Sequence, residues 1–253
     1  MRVPSLAPDA GPISADQLKK LRAAALVTTV SGAAYAILFL ISYWLMLGVP
    51  KAGSTDAELQ EFYSSSDSRV VNLVALYLLP FAGIAFIWFI VSVRMWVSLR
   101  VTRPINDLFS NVQLVSGIVF LALLFASAAA ISIGAVAGSG TDDARTLEVA
   151  REFPLFGGSL FFVFATRMGA MFVFTTTKIC SSSGTVPKWF QWVGITVGIV
   201  MLLTSSFNRG MIVVFPLWVL TLCILTQLHV RRTYRALMAE RHEATDATPE
   251  PAP

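Results

Sequence analysis

Residues 108–141 read LFSNVQLVSGIVFLALLFASAAAISIGAVAGSGT, and none of these 34 positions carries a charged side chain. An α-helix needs about 20 mostly apolar residues to cross the hydrocarbon core of a bilayer. Five further segments have this character, at 23–50, 70–93, 153–177, 189–208 and 210–230. Arg167 is the only charged residue inside any of them. The sequence therefore predicts an all-α polytopic membrane protein, built as a bundle of six transmembrane helices.

The composition excludes a soluble globular protein. Of the 253 residues, 55% are hydrophobic and 13% are charged, and the mean hydropathy is +0.69. An ordinary soluble domain carries about 25% charged residues. The net charge of +4 does not indicate nucleic acid here, because basic residues beside membrane spans serve topology. We expect the lipid bilayer as a partner and no nucleic acid.

The six spans leave no room for a second folded domain. We expect one transmembrane domain over 13–242, with disordered tails at 1–12 and 243–253. The predicted spans are 24–47, 69–93, 112–136, 154–177, 190–207 and 210–230. In the first outer loop, Thr55 and Glu58 have the spacing of a capping box, which predicts a short surface helix near 56–63.

The distribution of basic residues predicts the orientation of the chain. With a cytoplasmic N-terminus, thirteen of the 19 Lys and Arg residues fall on the inner side and five on the outer side, and Arg167 lies within a span. Cytoplasmic loops of membrane proteins carry an excess of Lys and Arg. Both termini are therefore predicted to be cytoplasmic.

Two prolines lie inside predicted spans. Pro80 in span 2 and Pro216 in span 6 each lack a backbone donor and are expected to kink their helices. A very short turn at 208–210 separates spans 5 and 6. We therefore expect these two helices to be antiparallel neighbours.

Two pairs of glycines have the spacing of a GxxxG motif, which lets helix backbones approach closely. Gly134 and Gly138 form one pair near the end of span 3, and Gly194 and Gly198 form the other in span 5. The favoured interpretation is packing within the chain. A homodimer face is the alternative.

Arg167 is the first candidate for a functional residue. A mid-membrane arginine costs about 2.5–3.5 kcal/mol on insertion scales, and none of the six spans contains Asp or Glu. The candidate partners are carbonyls freed by Pro80 or Pro216, the side chains of Tyr35, Tyr77, Asn72, Thr166, Ser127 and Thr204, a bound anion, and an acid of a partner subunit. A structural arginine, a ligand site and a subunit contact all remain open.

The sequence offers no catalytic, metal or cofactor site. His229 and His242 lie at or beyond the cytoplasmic end of span 6, and no HExxH or CxxC motif occurs. Cys180 and Cys223 are expected to be reduced packing residues. Only Asp107 with His229 would suit an enzyme, and we expect no enzymatic activity.

Three segments carry a resemblance to a known group of proteins. They are PFAGIAFIWFI at 80–90, RMGAMFVFTTTKI at 167–179 and FPLWVL at 215–220. Over about residues 20–230 the chain resembles an uncharacterised family of six-span membrane proteins from actinobacteria. The resemblance implies the six-helix fold and a bacterial plasma-membrane location. It implies no activity and no site residues.

Two functions follow as hypotheses. The first is a non-enzymatic auxiliary or scaffolding subunit of a larger envelope complex, which would account for the short loops and for an arginine without an internal acid. The alternative is a small carrier or channel for an anion or lipid, with Arg167 at a midplane site.

Overall fold

The computed structural model describes residues 15–49, 54–65, 67–98, 104–138, 144–203 and 213–246, and over these ranges the fold is helical with no strand. The α-helices are α1 (Ala15–Leu45), α2 (Asp56–Ser64), α3 (Asp67–Leu73), α4 (Leu79–Ser98), α5 (Pro104–Gly138), α6 (Ala144–Ser159), α7 (Thr166–Ser182), α8 (Lys188–Leu203) and α9 (Val214–Asp246). The all-α prediction is therefore confirmed for the described residues.

Two π-helical segments join α-helices into longer rods. Val74–Leu78 connects α3 to α4, and Leu160–Ala165 connects α6 to α7. At the end of each segment a backbone N–H donates to the carbonyl five residues earlier, from Leu79 to Val74 and from Thr166 to Phe161. A π turn inserts about one residue into a helix, so it rotates everything that follows relative to an unbroken α-helix.

Five helices are long and apolar enough to cross a membrane. These candidate spans are Arg22–Leu45, Ser68–Trp96, Asp107–Ile133, Glu148–Ser182 and Val214–Arg235. The sixth apolar helix, Lys188–Leu203, is shorter. The rest of predicted span 5 and the turn at 208–210 lie outside the described residues. The helices have the length and composition of a membrane protein.

Consecutive long helices alternate in direction, because residues from opposite ends of successive helices meet in two clusters. At one end, the Trp96 cluster joins the start of α1 with the ends of α4 and α7; its buried members are Ala24, Ala25, Trp96 and Ile179. At the other end, the Tyr63 cluster contains Leu59, Tyr63, Val71, Ala135 and Ala150. Arg22 of α1 stacks on the Tyr234 ring of α9 at 5.5 Å. The start of α1 and the far part of α9 therefore lie at the same end of the bundle.

Aromatic rings from five helices fill the centre of the bundle. Phe86 lies 4.6 Å from Tyr35, 5.5 Å from Phe120, 5.0 Å from Phe172 and 5.7 Å from Phe215, measured between ring centroids. All five rings are buried, and aromatic pairs in such tilted and edge-on arrangements attract one another. This aromatic core ties α1, α4, α5, α7 and α9 together.

The two prolines predicted to kink their helices lie close to the starts of α4 and α9. Pro80 is the second residue of α4 and lies two residues after the end of the first π segment, so the local change in hydrogen bonding is a π turn. Pro216 is the third residue of α9, in a first turn whose N–H groups have no helical acceptor to lose. Residues 210–212 of predicted span 6 lie outside the described residues, and the kink at Pro216 stays a prediction.

The tails fall mostly outside the described residues, which exclude 1–14 and 247–253. Helix α9 continues to Asp246, four residues into the segment 243–253 for which we predict a disordered tail. Its last turns contain Ala, Leu, Met, Glu and Arg, all strong helix formers, so the helix extends beyond the apolar span.

Candidate functional site around Arg167

Arg167 is the second residue of α7 and lies two residues after the end of the second π segment. Its guanidinium Nη1 donates a hydrogen bond to the carbonyl of Val163, one turn earlier in the same rod. Helical side chains lean toward the N-terminus of their helix, which brings this carbonyl within reach. The acceptor thus belongs to the arginine's own helix and not to a carbonyl freed by Pro80 or Pro216. Among the described residues no carboxylate pairs with Arg167.

The side chain of Arg167 lies on the outer face of α7. Arg167 itself is partly exposed, and its neighbours one turn before and after are exposed apolar residues, Phe164 at 54% and Met171 at 37%. The opposite face of the helix is buried and contains Gly169 and Phe172. Arg167 therefore points away from the aromatic core.

Two helices cover the other faces of α7. On one side, Phe120 of α5 packs beside Gly169, and on the other side α8 runs antiparallel to α7 with Gly194 against Thr177. The described part of α8 ends at Leu203, two residues beyond Met201, whose Cε also packs against Gly169. Phe164 and Met171 lie outside both contacts, and Arg167 lies between them and the side of α7 on which Phe174 meets Gly198 of α8.

The Arg167 guanidinium lies deep in the apolar part of its rod. The first exposed apolar residue after the charged Glu152 is Phe153, and the next exposed charge toward the far end is Lys178. Val163 is ten residues from Phe153 and fifteen from Lys178. At 1.5 Å per residue the guanidinium is about 15 Å from one edge of the apolar segment and about 22 Å from the other.

Arg167 makes no hydrogen bond to Tyr35, Tyr77 or Asn72, and Thr204 lies outside the described residues. Tyr35 is fully buried in the aromatic core, and its hydroxyl has no hydrogen-bond partner among the described residues. Tyr77 is 59% exposed in the first π segment. Asn72 accepts a hydrogen bond from the Ser132 hydroxyl at 3.2 Å and so joins α3 to α5. These three side chains occupy separate positions in the bundle.

The described GxxxG motif serves packing within the chain. Gly194 and Gly198 face α7, where a Cβ at Gly198 would lie 2.6 Å from the Phe174 ring and a Cβ at Gly194 would overlap the Thr177 side chain. Gly134 and Gly138 lie at the end of α5, and their contacts fall outside what the structure describes. The pair in α8 is therefore used for the close approach of α8 to α7.

One hydrogen-bonded pair of buried polar side chains was not predicted from the sequence. Gln113 of α5 is completely buried, and its Nε2 donates to the Thr176 hydroxyl of α7 at 3.0 Å. Its Oε1 has no partner among the described atoms. The sequence does show a carboxamide side chain within the charge-free segment 108–141, but it does not show which helix that side chain faces.

The short helix predicted in the first outer loop is present as α2, with both hydrogen bonds of the Thr55–Glu58 capping box. Asp56 pairs with Arg151 of α6, and the Tyr63 hydroxyl donates to the Ala150 carbonyl at 3.1 Å. Burial raises the pKa of Tyr63 above its ordinary value, which keeps this hydroxyl protonated. These contacts hold α2 against the start of α6.

The residues considered for catalysis lie in different surroundings. Asp107 is exposed, whereas His229 packs edge-on against Trp96 with 6.3 Å between ring centroids. Cys180 and Cys223 are buried free thiols. Among the described residues, no group of three His, Cys, Asp or Glu side chains could hold a metal ion. Comparison with family models, with curated proteins and with solved structures finds no match to this chain.

Proposed function

We propose that the chain is a non-enzymatic integral membrane protein of the bacterial plasma membrane, with six spans and both termini in the cytoplasm. In this proposal it acts as an auxiliary or scaffolding subunit of a larger envelope complex. The topology is supported by five helices of spanning length and by the position of the start of α1 and the far part of α9 at the same end of the bundle. The excess of basic residues on that side supports a cytoplasmic location for the ends.

The position of Arg167 carries the functional part of the proposal. A charged group on an outer helix face, about 15 Å inside the apolar segment, is costly when only lipid surrounds it. A neighbouring subunit that covers this face would lower the cost. The outer position thus favours a protein that works in contact with another membrane protein.

The carrier or channel alternative receives less support. An anion pathway would require Arg167 to line a route through the bundle, but Arg167 lies opposite the buried face of α7. Aromatic rings of Tyr35, Phe86, Phe120, Phe172 and Phe215 occupy the centre. Transport would need this core to separate.

The test is the mass of the particle isolated from its native membrane. We expect extraction in mild detergent or in polymer-bounded lipid discs to give a complex heavier than one chain and its lipid, with a reproducible stoichiometry by native mass spectrometry. A harsh detergent serves as the control, because it should release the chain alone. A chain that always isolates alone under the mild conditions would refute the subunit role.

A further inference from the structure

The outer face of α7 identifies the kind of partner. We propose that the surface formed by Phe164, Arg167 and Met171 docks a transmembrane helix of another subunit, and that this helix carries an Asp or Glu at the depth of Arg167. This inference rests on the proposed role as a subunit, and it names the chemistry of the contact.

The three residues form one continuous strip. Positions 164, 167 and 171 follow the i, i+3, i+7 spacing of a single helix face. Phe164 and Met171 are exposed at 54% and 37%, and Arg167 between them is partly exposed. The strip therefore offers a partner helix two apolar contacts with a cation at the centre.

The guanidinium has donors left for a carboxylate. A guanidinium carries five N–H donors, and among the described residues the Val163 carbonyl is the acceptor of its hydrogen bond. The same Val163 contact fixes the side chain along the helix. A carboxylate can take two parallel N–H bonds from a guanidinium, so a positioned arginine suits an acidic side chain better than a single neutral acceptor.

The depth of the guanidinium favours an acid on a helix over the phosphate of a lipid. The group lies about 15 Å from the nearer edge of the apolar segment, and half of the hydrocarbon core is also about 15 Å thick. A lipid phosphate would have to be drawn into the centre of the bilayer to meet it. An Asp or Glu on a transmembrane helix can be placed at this depth by sequence position, and intramembrane charges usually pair with one another.

A defined peptide tests the chemistry. The full chain is reconstituted in phosphatidylcholine vesicles with a labelled Leu/Ala peptide of about 20 residues that carries one central Glu. Energy transfer between the two reports association. The matched peptide has Gln in place of Glu, and the protein variants are Arg167→Gln and Arg167→Lys.

We expect the Glu peptide to bind the native protein about tenfold more tightly than the Gln peptide, the ratio that a single interhelical polar contact produces. Arg167→Lys should keep most of this preference, and Arg167→Gln should abolish it while its circular dichroism stays unchanged. Equal binding of both peptides to the native protein would overturn the proposal. So would a preference that survives Arg167→Gln, or one that disappears when phosphatidylglycerol replaces a fifth of the lipid, because a lipid would then be the occupant.

Photocrosslinking in native membranes separates this proposal from the subunit role. A photoreactive residue at position 164 should crosslink to the partner, whereas one at Trp88 should not. Trp88 is a matched control, because it is also an aromatic side chain and is 62% exposed on a different helix, α4. A heavy complex without crosslinks at 164 would refute the docking face and leave the subunit role standing. A chain that isolates alone would refute both.

Discussion

Gln113 shows how a single buried amide joins two helices of this bundle. It is completely buried, it donates to Thr176, and its own carbonyl has no partner among the described atoms. Loss of the Thr176 hydroxyl leaves both the nitrogen and the oxygen of the buried amide unsatisfied, whereas an apolar replacement of Gln113 removes the unpaired carbonyl and leaves one hydroxyl that can turn to a backbone carbonyl of its own helix. The two members of the pair should therefore respond differently to mutation.

We expect Thr176→Val to lower the free energy of unfolding by about 1 kcal/mol, because it deprives the Gln113 amide of its acceptor. Gln113→Leu should leave stability unchanged or raise it. The measurement is thermal or chemical unfolding in a fixed detergent. Thr175→Val is the matched control, since Thr175 is equally buried but bonds to the Met171 carbonyl of its own helix at 2.8 Å. Equal losses for the two threonines would contradict this explanation.

The π segments and close glycine contacts determine how the helices meet. In the second rod, the carbonyl of Phe161 accepts from both the backbone N–H and the hydroxyl of Thr166. Just before this segment, Ser127 of α5 donates to the Gly157 carbonyl at 2.7 Å. A Cβ at Gly157 would lie 2.8 Å from the Ser127 backbone carbonyl. The approach of α5 to α6 thus depends on a backbone that has little freedom to move.

Gly157→Ala should therefore destabilise the protein by about 1–3 kcal/mol, the usual cost of overpacking. Gly83→Ala is the comparison, because its Cβ would meet the ring end of Phe125, which is 36% exposed and can rotate outward. We expect a clearly smaller loss for Gly83→Ala. The measurement is the melting temperature of both variants in the same detergent. A larger loss at Gly83 would show that Phe125 is held and that the α5–α6 contact can adjust.

At the scale of the whole molecule, the helices place α2 at one end of the bundle and the basic part of α9 at the other. Because these two helices lie at opposite ends, labelling each of them can test the predicted orientation of the chain in the membrane. Cys180 and Cys223 are only 2% and 1% exposed, so the native chain should react slowly with thiol reagents. Single introduced cysteines can then report on each side of the membrane.

We expect a membrane-impermeant maleimide to label Glu61→Cys in intact cells and to label Arg235→Cys only after permeabilisation. Both positions are exposed on described helices, at opposite ends of the bundle. The native chain is the control for background labelling. The reverse pattern would place the chain ends outside the cell and would overturn the orientation inferred from the basic residues.

The extent of sequence-based prediction differs between levels of the structure. The capping box at Thr55 and Glu58 could be predicted from the sequence, because the two residues are only three positions apart. The kink at Pro216 stays a prediction; Pro216 is the third residue of the described α9, where a missing N–H removes no helical hydrogen bond. The partner of Gln113 could not be predicted from the sequence, because a polar residue in an apolar segment does not show which neighbouring helix it faces.

The sequence by itself determined that this chain forms apolar helices of membrane-spanning length, because hydropathy and charge-free length are properties of each segment alone. It also singled out Arg167 as the one charge within a predicted span. Only the tertiary structure decided that Arg167 lies on an outer face, with its hydrogen bond to its own helix at Val163. The physical reason is that helix faces are assigned by packing against neighbours, and that the π segment Leu160–Ala165 turns all following residues by about 100° from the simple helical period.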